Sequence, residues 1–175
     1  MGDAISMPRR PAAILLMGVA GSGKSTIGAA LSDQLGWPFR DADSFHPAAN
    51  VAKMSAGVPL TDEDRWPWLA AIGTWLDERR ATRQPGIVSC SALKRIYRAR
   101  LLSGRPDVRL VFLKGDEALI GARMRNRTNH FMPPSLLTSQ FATLEEPQPE
   151  ERAMVVSVAA TPPEIVAAIV AGLDA

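Results

Sequence analysis

Gly18-Val19-Ala20-Gly21-Ser22-Gly23-Lys24-Ser25 fits the pattern G-x-x-x-x-G-K-[ST]. The pattern has a physical basis. Glycines let successive backbone N–H groups turn toward one anion without Cβ clashes. The lysine brings a point charge to the β- and γ-phosphates, and the serine hydroxyl suits Mg²⁺. The flanks are those the pattern requires. Ala12 to Met17 is a continuous apolar run, which reads as a strand buried on both faces. Thr26 to Leu35 places Ile27, Ala30, Leu31 and Leu35 at helical spacing, and Gly36 ends the pattern. Gly18, Val19, Ala20, Gly21, Ser22, Gly23, Lys24, Ser25 and Thr26 therefore form the expected nucleotide-binding set.

The chain's 175 residues suit one domain, with residues 1–11 as a loose tail. The apolar run after Arg9-Arg10 feeds straight into the phosphate loop, so it does not read as a cleaved leader. The single cysteine, Cys90, cannot form an internal disulfide, which agrees with a reducing, cytoplasmic setting. A net charge of +2 without a long basic run argues against nucleic acid as partner. No apolar run approaches the ~18 residues of a membrane span.

Outward from the loop, Trp37 to Asp43 reads as a second strand ending in two carboxylates, Asp41 and Asp43. At i and i+2 of an extended strand they point the same way, and strand C-termini face the ligand crevice of a parallel sheet. Pro47 opens a short helix with Asn50, Lys53 and Gly57 on one face. Thr61 and Asp64 form a capping-box variant for a helix running to about Arg80, with Trp66, Leu69, Ile72, Trp75 and Leu76 as its apolar stripe.

Ile87 to Cys90 reads as the third strand, with Lys94 just beyond its end and a basic helix carrying Tyr97, Arg98 and Arg100. Val108 to Leu113 is the fourth strand, followed by a helix from Asp116 to about Met124. Arg123, Arg125 and Arg127 then enter a polar, proline-broken segment, which suggests a mobile lid at about residues 123–150. Within it, a helix from Pro134 carries Leu136, Leu137, Gln140 and Phe141. Met154 to Val158 is the fifth strand, and Thr161 caps a last helix from Glu164 to Leu173.

Strands alternating with helices predict an α/β domain with a five-stranded parallel sheet and helices on both faces. The chain has no N-K-x-D for guanine and no acid ending the third strand, so the layout is that of a phosphotransferase.

The run Asp41-x-Asp43-x-x-His46-Pro47-x-x-Asn50-x-x-Lys53-Met54-x-x-Gly57-x-Pro59-Leu60-Thr61-Asp62-x-Asp64-Arg65 resembles the gluconokinases. Cys90 to Arg98 and His130-Phe131-Met132-Pro133 through Glu145 extend the resemblance. It implies a P-loop, adenylate-kinase-like three-layer fold with a mobile lid. It also implies ATP- and Mg²⁺-dependent phosphorylation of D-gluconate on its 6-hydroxyl, in a cytoplasmic homodimer. By analogy with the shikimate kinases, Asp41, with Ser25, would serve Mg²⁺ and Asp43 would accept the hydroxyl proton, two roles that are interchangeable at this stage. Arg123 and Arg127 would cover the transferring group or stack on adenine. His46, Lys53, Arg65, Lys94, Arg98, His130 and Gln140 are the candidates to hold gluconate, none singled out for its carboxylate. The competing readings are another small-molecule kinase of this fold, shikimate-like or nucleoside monophosphate kinase, and an ATP-binding module without turnover.

Overall fold

A computed structural model describes residues 10–126 and 134–174. Strands β1 (Ala13–Met17), β2 (Phe39–Asp41), β3 (Gly86–Ser89), β4 (Val108–Lys114) and β5 (Met154–Ser157) form one parallel sheet in the order β2-β3-β1-β4-β5. β1 is central: Leu15 is paired with Val88 of β3 on one side and Leu110 of β4 on the other. All five residues of β1 are fully buried. Their alternation splits the core in two. Ile14 and Leu16 face a cluster with α1 (Lys24–Leu35), α5 (Glu117–Arg125), α6 (Pro134–Thr143) and α7 (Pro162–Leu173). Ala13, Leu15 and Met17 face α3 (Asp62–Thr82) and α4 (Arg95–Leu102). The short α2 (Ala48–Ser55) joins the 3₁₀ turn after β2 to α3. The result is the expected three-layer α/β arrangement, in which a continuous apolar run is buried on both faces.

Two capping boxes fix helix starts where the sequence places them: Thr61 with Asp64 opens α3, and Thr161 with Glu164 opens α7. The stripe of α3 is Leu69, Ile72, Trp75 and Leu76, joined by Trp68. Trp66 is only partly buried, with the Arg100 guanidinium 4.1 Å from its ring centroid.

One expectation is corrected. β2 ends at Asp41, and Ala42–Phe45 form a 3₁₀ turn, so Asp43 is not on the strand. The cause is local: Asp41 Oδ1 accepts the Asp43 N–H at 2.9 Å, giving the backbone an alternative to the ladder. Of the tail over residues 1–11, Arg10 pairs with Asp174 at 2.9 Å. Ala12, the first residue past that span, donates its N–H to Asp107 O at 2.8 Å.

Candidate active site

The phosphate loop leaves β1 at its C-terminal end and becomes α1. Gly23, the N-cap, is left-handed at φ 99°. Gly21 is left-handed too, and a Cβ there would lie 2.6 Å from Met124 Sδ of α5. Gly23 therefore disfavours a side chain on backbone grounds, and Gly21 on backbone and packing grounds. Lys24 Nζ lies across the loop, donating to Gly18 O at 2.8 Å and Val19 O at 3.0 Å. Burial pushes the Lys24 ammonium below its usual pKa, against the opposing pull of Asp41 and Asp43.

The end of β2 meets the start of α1 here. Ser25 Oγ donates to Asp41 Oδ2 at 3.4 Å. Asp43, one step around the 3₁₀ turn, has its pKa raised by burial first and by the Asp41 charge second, with His46 and Lys24 opposing. A carboxyl whose proton affinity is raised beside a phosphate cradle is suited to receive a proton.

His46 stacks on Trp68, with centroids 4.3 Å apart and planes 12° from parallel. Burial, reinforced by Arg65, lowers its pKa, while Asp43 raises it. Asn50 is buried; its Nδ2 donates to Asp64 O at 2.8 Å and lies 3.3 Å from His46 Nδ1. Trp68 Nε1 donates to Ala42 O at 2.8 Å. These bonds lock the acidic 3₁₀ turn and its histidine onto α3.

The other sequence candidates separate. Lys53 Nζ bonds both Asp64 oxygens, at 2.8 and 3.0 Å, and this pulls the Asp64 pKa down to about 2. Arg65 Nη1 donates to Leu60 O at 3.0 Å. Lys94 is the N-cap residue of α4 and lies 3.6 Å from Asp62. Gln140 accepts the Ala20 N–H at 2.6 Å, so it faces the phosphate loop. Arg123 donates to Val158 O, beyond the end of β5. Arg127 and His130 lie outside the described residues.

Arg98 is a correction. Its side chain is 1 % exposed, and its guanidinium forks onto Glu151 at 2.6 and 3.2 Å. Its Nη1 also donates to Ala92 O at 2.8 Å and Leu93 O at 3.1 Å. Ala92 is one of three non-glycine residues with left-handed φ among those described, at 46°. Arg98 is thus an internal strut that holds the β3–α4 loop and cannot reach a sugar acid. Glu145 supports the same loop: its N–H donates to Leu93 O, and its Oε1 accepts the Arg95 N–H, each at 2.8 Å.

Sequence reasoning passed over Asp62, Tyr97, Trp68 and Glu151 as site-forming residues. For Asp62 a signal existed, since it lies one residue past the N-cap of the helix that carries Arg65.

A cavity of about 610 Å³ opens at the opposite end of the sheet, between Arg10, Arg80, Arg83 and Arg109. Arg80 and Arg83 lie at the carbonyl end of α3, where cations complement the helix dipole. Arg80 and Arg10 are also paired with Asp107 and Asp174. The fold accounts for Arg10, Arg80 and Arg83 there, and the cavity lies far from the phosphate loop.

The profile of the shikimate kinase family matches residues 20–171. The chain is 44% identical to the probable gluconokinase of Mus musculus over 93% of this chain and 98% of that one. It is 46% identical to the thermosensitive gluconokinase of Escherichia coli K12, over 81% of this chain and 75% of that one. A gluconokinase from Sinorhizobium meliloti 1021, known as a crystal structure, superposes with a TM-score of 0.83 at 52% identity, covering 94% of this chain and 93% of that one. The chain is a kinase that belongs to the shikimate kinase family and, within it, to the gluconokinases.

Proposed function

We propose that this enzyme transfers the γ-phosphoryl group of ATP to the 6-hydroxyl of D-gluconate, giving 6-phospho-D-gluconate. The observation that carries the reading is the meeting of Ser25 with Asp41 at 3.4 Å, two residues from Asp43, beside the phosphate loop that Lys24 lies across. Phosphoryl transfer asks the protein for alignment and charge neutralisation more than for covalent chemistry. The amides of residues 18–25 and Lys24 hold the phosphates. Asp43 takes the proton of the attacking hydroxyl, a role its raised proton affinity supports. Asp41, fixed as the cap of the 3₁₀ turn, is left on the cation side with Ser25.

Ser25 and Asp41 offer two hard oxygens, which fits Mg²⁺, an ion that keeps several waters and binds through few protein ligands. When bound, Mg²⁺ neutralises charge on the phosphates. Among the described residues no cluster of three or more His, Cys, Asp or Glu side chains is placed to hold a metal. Arg123 and Arg127 open the segment of about residues 123–150 proposed as the lid, and Gln140, within it, bonds the phosphate loop. We assign His46, Arg65 and Lys94 to the sugar acid, and His130 with them. Lys53 reaches it only by leaving Asp64. The same reading makes the enzyme a cytoplasmic homodimer, which size-exclusion chromatography with light scattering and cell fractionation test.

The deciding experiment is an ATP- and Mg²⁺-dependent assay with coupled ADP detection, comparing gluconate with its epimers, glucose, shikimate and nucleoside monophosphates. Turnover should be highest with gluconate. A preference for shikimate or a nucleotide, with gluconate inert, would overturn the reading.

A further inference from the structure

Three donors converge on one carboxylate oxygen between α3 and α4. Tyr97 Oη donates to Asp62 Oδ1 at 2.5 Å. Arg65 Nη1 lies 3.7 Å and Lys94 Nζ 3.6 Å from the same oxygen. Both cations also flank the Tyr97 ring, each 5.5 Å from its centroid, within cation–π range. The node is graded in depth. Tyr97 is 6 % exposed, and Trp66 packs edge-on against it at 6.1 Å. The side chains of Arg65, Lys94 and Asp62 are 30 %, 36 % and 39 % exposed. The ring is thus a buried anchor, and the cations look outward.

Charge balance suggests what the node is for. Two cations this close repel, and one carboxylate between them offsets the repulsion while leaving a net charge of +1. The Tyr97 hydroxyl, first among the causes, holds the Asp62 pKa below its usual value, so the carboxylate stays charged. Of the other two acids of this turn, Asp64 is engaged by Lys53, and Glu63 is exposed to solvent. The remaining +1 matches one substrate carboxylate. Arg65 and Asp43 both act electrostatically on His46, in opposite directions.

We infer that Asp62 and Tyr97 are positioning residues that hold Arg65 and Lys94 as a paired seat for the carboxylate of the acceptor. The inference rests on the proposed sugar-acid substrate and adds where its charged end sits. Asp62 does not touch the substrate. It offsets the repulsion between two cations and holds both beside one oxygen, and the tyrosine fixes Asp62.

The test is steady-state kinetics on Asp62→Asn, Tyr97→Phe and Asp62→Glu, with gluconate and with uncharged D-gluconamide as substrate or competitive inhibitor. Asp62→Asn should raise KM for gluconate about tenfold, the effect of ~1.4 kcal/mol. Its KM for ATP, its kcat at saturation and its constant for gluconamide should stay within about twofold. Tyr97→Phe should shift the same constant in the same direction by less, and Asp62→Glu should restore part of the loss. Tyr97→Phe also carries the test if Asp62→Asn does not fold. Equal effects on gluconate and gluconamide, or none on either, would overturn the inference while leaving the kinase reading intact. Absence of gluconate turnover by the unmodified enzyme would overturn both.

Discussion

Gln140 on α6 accepts the amide N–H of Ala20 in the phosphate loop, across 120 positions of sequence and a distance of 2.6 Å. The bond ties the helix that follows residues 127–133 to the cradle itself. Gln140→Leu should therefore raise KM for ATP by roughly 2- to 12-fold, the range expected for one neutral hydrogen bond. KM for gluconate should hardly change. Gln140→Glu keeps an acceptor but sets a negative charge beside the phosphates, so it should cost more. Initial-rate kinetics with each substrate varied in turn decide the point; a larger effect on gluconate would return Gln140 to the sugar side.

Arg98→Ala should act on stability rather than on chemistry. It leaves Glu151 without its buried partner and frees two loop carbonyls. Breaking a buried pair costs about 3–5 kcal/mol. For a domain of this size that lowers Tm by roughly 6–20 °C, measurable by calorimetry. At a temperature where the variant is folded, KM for ATP should be close to that of the parent. An unchanged Tm would remove Arg98 as a strut.

Asp43 should trade stability for activity. Its folded pKa is raised above the usual 3.8, chiefly by burial. The sign follows from linkage: the folded state binds the proton more tightly, so this group favours folding below pH 3.8 and loses that contribution as pH rises through its folded value. At neutral pH the ionised carboxylate is a liability. Asp43→Asn should abolish most of kcat yet raise Tm. The acid limb of the parent's kcat profile should fall above the ordinary aspartate range. A variant that keeps its kcat would remove Asp43 as the base.

Lys24→Ala should eliminate measurable turnover, since its ammonium is the loop's point charge for the phosphates. The same change removes the two bonds from Nζ to Gly18 O and Val19 O. Backbone amide exchange of the loop should accordingly quicken even without nucleotide. Retained turnover would end the assignment of the loop.

Much of the fold was legible because its signals are local. β1 reads as a strand from five apolar residues in a row, and the starts of α3 and α7 read from Thr61-Asp64 and Thr161-Glu164. Strand order was not legible, because nothing along β3 or β4 states which neighbour it takes. The site was legible where a motif dictates backbone geometry, as at residues 18–25. It failed where long-range pairing decides. Arg98 looked like a surface cation of a basic helix, and only the approach of Glu151, 53 residues away, buries it. Asp43 looked like a strand residue, and a single side-chain bond from Asp41 turned it. Beyond its place in the first turn of α3, Asp62 carries no signal of its own in the sequence, and only the approach of α4 brings Tyr97 and Lys94 against it.

Cys90 is the residue just past the end of β3, buried, and burial pushes its thiol up to about 12. Thiolates, not thiols, react with alkylating reagents. In the closed protein the sulfur is therefore silent, and labelling must wait for a local opening of the strand end. The rate of modification by a maleimide thus becomes a clock for breathing motions beside Lys24. Ligands that tighten the phosphate loop should slow that clock in proportion to the population of opened molecules they suppress.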